Sequence, residues 1–150
     1  MCLRISNIHK EKNNKPFIAK KDIIVFKALD HYDLFNGKKT ICTPYQFYPI
    51  DFIDGKCVMK SDLYTESDSR FVNIGVHSFT KEEKAEKTCA GFPETKMTKH
   101  WAIIPKGSKY YIGVDNDIVS NNLIIFRTRE DFRKYKKEHE CSRINIIIFE

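Results

Sequence analysis

Long hydrophobic runs are missing from this chain. Its longest uninterrupted apolar stretches, such as Ile146 to Phe149, fall far short of the ~20 residues that cross a bilayer as a helix. Glycine and proline are scarce, six and five in 150 residues, which excludes collagen-like and linker-like chains. No two of the five cysteines (Cys2, Cys42, Cys57, Cys89, Cys141) stand at C-x-x-C spacing, so zinc-ribbon and thioredoxin-like motifs are absent. Their odd number argues against a complete intramolecular disulfide framework, and each reads as a small, partly buried hydrophobe. Met1 to Lys10 carries no apolar signal core, so a reduced, cytoplasmic setting is expected.

Catalytic signatures are missing too. His9, His31, His77, His100 and His139 show no H-E-x-x-H or H-x-x-x-H spacing, so no metal site is expected. There is no G-x-S-x-G elbow and no cysteine in a nucleophile motif, so no catalytic residue is assigned and no cofactor is expected. An enzyme assembled from residues far apart in sequence stays open.

What is present is enough for one folded domain spanning residues 1–150, with 41% hydrophobic and 31% charged residues. The formal net charge of +6 favours an anionic partner, although scattered lysines also serve only to keep a domain in solution. Basic residues gather at Lys10 to Lys21 and at Arg127 to Lys137, without the groove-reading motif of a dedicated DNA binder; nucleic acid is the less favoured partner.

Residues 9–16 read as an exposed, mobile loop. Asp22 to Leu29 is a β-branched strand, and Asn36-Gly37 and Asp54-Gly55 are hairpin-type turn signals. Thr40 to Ile50 is β-prone, but Pro44 and Pro49 confine it to an edge or an extended loop. Phe71 to Phe79 reads as a strand with Gly75 as a bulge or close approach, followed by a capping box at Thr80 and Glu83 and a helix to about Ala90. His100 to Ile104 and Lys109 to Val114 read as a β-hairpin about Pro105 to Ser108, and Asn121 to Arg127 as a further strand. Thr128 to Asp131 caps a short basic helix with Phe132 and Tyr135 on one side. Arg143 to Glu150 reads as a central strand, apolar on both faces. The expected fold is α+β: a mainly antiparallel sheet covered by one or two short helices.

Three segments are candidates for holding a ligand. His77 and Ser78 end a strand just before a helix start, where Ser78, Thr80 and free backbone N–H groups suit an anion. The alternative is that Thr80 only caps the helix and His77 is a half-buried strand residue. In the turn after Ile104, Lys106, Ser108 and Lys109 suit phosphate oxygens, and Tyr110 or Tyr111 offers a face to a base. A plain turn explains the Pro and Gly there equally well. Tyr45 and Phe47, in the aromatic segment 43–48, line a base or peptide pocket or else serve as core.

The order of segments resembles a family of small uncharacterised proteins of bacteriophages and gut bacteria. The resemblance is carried by the Met-Cys-Leu start, the stretch Ile18 to Lys27, Pro44-Tyr45, Gly75-Val76-His77-Ser78-Phe79, and Ile103 to Tyr111. It covers most of the chain apart from 9–16 and 128–142. A fainter likeness is to the ADP-ribosyltransferase-like fold, without its catalytic triad: Val25-Phe26-Lys27 stands where an early Arg or His belongs, and no Glu stands in the catalytic place after Ser120, where the strand reads Leu123 to Arg127. The phage resemblance implies action in the host cytoplasm. Together with the basic charge it leads to the expectation of a protein that captures an anionic, nucleotide-like molecule, countering bacterial defence signalling. Two other expectations stand beside it: a module that binds and blocks a host protein, and a degenerate ADP-ribosyltransferase-like enzyme. No membrane partner is expected, and a homo-oligomer is left open.

Overall fold

The β-branched run beginning at Asp22 is buried on both faces and lies at the centre of the fold. In the computed structural model, which describes residues 3–33, 37–44, 48–65, 70–91 and 96–144, it extends through Asp33. The first half of the chain holds β1 (Leu3–Arg4), β2 (Phe17–Ile18), β3 (Asp22–Asp33), β4 (Lys39–Cys42), β5 (Lys56–Lys60), β6 (Tyr64–Thr65) and β7 (Phe71–Ile74). Then follow β8 (Val76–Phe79), α1 (Glu82–Ala90), β9 (Lys96–Ile104), β10 (Lys109–Ile112), β11 (Asp117–Ser120), β12 (Asn122–Phe126), α2 (Arg129–Glu138) and β13 (Cys141–Ser142).

The fold is α+β, a mainly antiparallel sheet with two short helices. The main sheet runs β2-β10-β11-β8-β3-β9-β12-β5, with β4 and β13 also on β3, and β1-β7-β6 form a small second sheet. Side chains alternate across a strand, and here both faces are used. Val25 and Leu29 of β3, Ile104 of β9 and Ile125 of β12 share one core with Ile112 and Ile118 of β10 and β11, so the sheet bends over on itself. On the outer face, Phe26, Ile103 and Phe126 pack against Ala85 of α1 and Phe132 of α2. Ile103 and Ile104 are adjacent and fully buried in opposite cores; each burial is worth about 2 kcal/mol. Leu3, Ile5 and Val72 of the small sheet region close over Tyr111 and Val119.

The turn signal at Asp54-Gly55 is confirmed: both residues have positive φ, and Ile53 and Lys56 exchange backbone hydrogen bonds across them. Gly75 parts Phe71–Ile74 from Val76–Phe79, and these two strands lie in different sheets. A Cβ at Gly75 would run into the Val119 side chain, so the chain crosses there only as glycine. The capping box at Thr128 forms with Asp131.

Four expectations are corrected or bounded. The Pro105 to Ser108 turn does not join a hairpin: β9 pairs with β3 and β12, β10 with β2 and β11. Asp22 Oδ1 accepts the Lys106 N–H (2.8 Å), and Ala19 exchanges backbone hydrogen bonds with Gly107 and Ser108, so the turn is docked elsewhere and its arms diverge. Thr80 is not the helix cap. Its N–H and hydroxyl both donate to the Asn116 carbonyl, and Lys81 takes the cap position without a side-chain hydrogen bond. The stretch 9–16 begins inside a 3-10 helix, Asn7–Lys12, and His9 is fully buried, its Nε2 accepting the Ile112 N–H at 2.9 Å. Of the expected strand 143–150, residues 145–150 lie outside the described residues; Cys141–Ser142 runs parallel to β3.

Candidate functional site

The main sheet forks along one edge of β3. β8 pairs with β3 only at Phe26↔Phe79, and β4 pairs with it only from Asp30 to Asp33. Between those points that edge has no strand partner among the described residues, and a cleft of about 630 Å³ opens beside it. This lies within the range of small-molecule sites.

Lys27 forms part of the cleft wall. It is 8% exposed, and its Nζ donates to the His77 carbonyl oxygen at 2.5 Å. Burial pushes its pKa down from 10.5 to about 8, and among the described residues it has no carboxylate partner. A buried ammonium without a counter-ion is a costly arrangement. One hydrogen bond to a neutral carbonyl leaves two of its three donor positions for something else.

His77 lines the same cleft from β8. Its Nε2 lies 3.5 Å from Asp117 Oδ2, too long for a well-formed hydrogen bond, and has no other partner among the described residues. Burial raises the Asp117 carboxyl, but His77 and nearby backbone N–H groups outweigh it and hold the carboxyl below its usual range. On the α1 side, Lys84 pairs with Asp115 at 2.6 Å. The rest of the wall is largely apolar: Met59 of β5, Val76 of β8, Val119 of β11, and Ile74 and Tyr48 at the more exposed rim.

Of the residues expected to hold a ligand, His77 is in this cleft. Ser78 is fully buried with its Oγ unpartnered, and Thr80 is held by Asn116; neither lines the cleft. The turn 105–108 lies elsewhere. Lys106 is exposed, with its N–H on Asp22, and the Ser108 side chain is buried without a partner. Lys109 borders a separate shallow groove with Asn121, to which its N–H donates. Tyr110 packs on Phe17, and Tyr111 is buried with its hydroxyl donating to the Asn14 carbonyl, so neither offers a free face for a base. Tyr45 and Phe47 lie outside the described residues; Pro44 and Tyr48, which flank them, do line the cleft.

Lys27 is the residue that the sequence reading passed over. The signal was there: a single lysine interrupts Ile23-Ile24-Val25-Phe26-Lys27-Ala28-Leu29, a strand apolar on both faces, where a charge has no solvated side to turn to. Thiol chemistry gains nothing from the surroundings, since burial pushes the Cys42, Cys89 and Cys141 thiols up and keeps them protonated. Among the described residues no group of His, Cys, Asp or Glu is placed to hold a metal ion, and no helix is long and apolar enough to cross a membrane.

Compared with known protein families, curated proteins and solved structures, the chain matches none. The resemblances drawn from its sequence therefore rest on the quoted segments alone.

Proposed function

We propose that this protein binds a small anionic ligand in the cleft at the fork of β3, with the Lys27 ammonium as the anion's partner and His77 beside it. The observation that carries this reading is the buried ammonium in a cleft wall without a carboxylate of its own. An arriving anion supplies the missing counter-charge and takes up the idle donors. Lys60, exposed at the rim, adds positive potential that draws anions in. A nucleotide-like molecule is the member of that class the sequence reading names, and capture of a defence messenger in a phage-infected cell is the role it implies.

A thermal-shift screen of anions, nucleotides included, with product analysis of each hit, tests this reading. A bound anion at a hundredfold excess over its dissociation constant stabilises the fold by about 2.7 kcal/mol. That gain is expected in the wild type and absent in Lys27→Met. No shift with any anion, or an equal shift in Lys27→Met, overturns the assignment.

A second reading, a module that blocks a host protein, has one observation in its favour. β5 ends the main sheet, and beside it Ile53 and Val58 are 70% and 51% exposed, a surface suited to an added strand. A stable complex recovered from host lysate, with no small molecule shifting the melting curve, would move the assignment there.

A further inference from the structure

Most of the polar side chains around the cleft already have a partner within the chain. Thr43 Oγ1 accepts the Tyr48 N–H at 3.1 Å, and Thr88 Oγ1 donates to the Lys84 carbonyl at 2.9 Å. Ser61 Oγ donates to the Asp62 carbonyl at 2.9 Å. Lys84 is taken by Asp115, and Asp117 faces His77. Asn73 also has a partner of its own. Lys27 and the unpartnered Nε2 of His77 are the buried exceptions, and beside the charged Lys60 and Asp115 the rim exposes Tyr48 at 58% and Ile74 at 49%.

A ligand rich in hydroxyls or base-edge donors and acceptors would bury those groups against walls that have little to return, at a cost for each one left unmatched. A ligand with one anionic head and an apolar body meets no such cost. Its head would satisfy the ammonium of Lys27, and its body would cover Met59, Val76 and Val119 and extend toward Tyr48 and Ile74. We infer that the cleft selects amphipathic monoanions, organic acids with an alkyl or aryl body, over nucleotides and small hydrophilic anions. This inference rests on the reading of the cleft as an anion site, and narrows it.

The test is calorimetric titration of the full chain at pH 7 with acetate, butyrate, hexanoate and octanoate, each below its micelle concentration, and with neutral octanol and adenosine monophosphate. The dissociation constant should fall about threefold to fourfold for each added methylene. Octanoate should bind at least tenfold tighter than either octanol or the nucleotide. Lys27→Gln should cost octanoate at least tenfold while leaving octanol unchanged, and Met59→Gln should weaken octanoate but not acetate. Far-ultraviolet dichroism and a melting curve confirm that each variant is folded. A nucleotide that equals or outbinds octanoate, or a series flat in chain length, overturns the inference and leaves the anion site standing. Failure of every anion in the set to bind overturns the anion site as well.

Discussion

Lys27 and the trio His31, Thr98 and His100 share the inner face of the same pair of strands, yet they are treated in opposite ways. In register, Lys27 stands across from His100, and Leu29 from Thr98. The trio forms a closed chain of hydrogen bonds. His100 Nδ1 lies 2.9 Å from the Phe126 carbonyl oxygen, which only accepts, so Nδ1 carries the proton and Nε2 is the acceptor. The Thr98 hydroxyl therefore donates to His100 Nε2 (2.7 Å) and accepts from His31 Nε2 (2.8 Å). Phe52 stacks on the His100 ring at 5.7 Å. Every polar atom in that row whose partner is known has the partner its chemistry wants. Lys27, directly across from His100, has a full charge and a neutral carbonyl. A buried network that is complete within the chain has a structural job; a buried charge left incomplete is the observation on which the proposed anion site rests.

The largest effect expected from this contrast is a gain. Replacing Lys27 by methionine should stabilise the protein at pH 7 by up to about 3 kcal/mol, the worth of a lysine pKa held near 8 rather than 10.5. The sign follows from linkage: the unfolded chain binds the lysine proton between pH 8 and 10.5 and the folded chain does not. Wild-type stability should therefore rise across that window, and Lys27→Met should lack the rise. Urea unfolding at pH 7, 9 and 10.5 measures both; a methionine variant less stable than the wild type at pH 7 would break the contrast.

The opposite sign is expected in the trio. Thr98→Val removes the group that both histidines use, and should cost about 1–3 kcal/mol by urea unfolding. A neutral result there would mean that the row is incidental.

A smaller effect is expected from acid. Burial lowers the pKa of His100 and of His31, with the charges of His31 and of Lys96 respectively adding to it. Folded-state values below the ordinary 6.5 mean that the unfolded chain takes up the protons first. The stability these histidines contribute is present above 6.5 and is lost as pH falls below it. His100→Gln should flatten the acid limb of a stability–pH curve between 6.5 and 5, while Lys27→Met leaves that limb unchanged.

The contrast also marks how far the sequence could be read. Local chemistry carried the strand from Asp22, the helix ending at Gly91 and the capping box at Thr128, because in each the deciding groups lie within a few residues of each other. The turn at Pro105 was read correctly as a turn and wrongly as a hairpin, since its direction is set by Asp22 and Ala19, more than eighty residues earlier. Thr80 and Glu83 have the spacing of a cap, but just past the end of β8 the Asn116 carbonyl takes both the N–H and the hydroxyl of Thr80. The strand Asp117–Ser120 went unread because Asp115-Asn116-Asp117 looks like a polar turn, which it also is: Asn116 has φ +57°. His77 was legible as a candidate, although what places it in a cleft is the divergence of β8 from β3, and no local signal announces that. Lys27 could have been found by asking where a charge interrupts a strand with no polar side.

The most direct measurement is calorimetric titration of octanoate at pH 8 in two buffers of different ionisation enthalpy. The ligand's own carboxylate stays ionised there, and Lys27 is close to half protonated. If the bound anion pairs with that ammonium, binding draws a proton onto it, with an uptake of up to about half a proton per site. Lys27→Met should show none. Equal apparent heats in the two buffers, or the same uptake in the variant, would contradict the assignment of Lys27 as the group that meets the ligand.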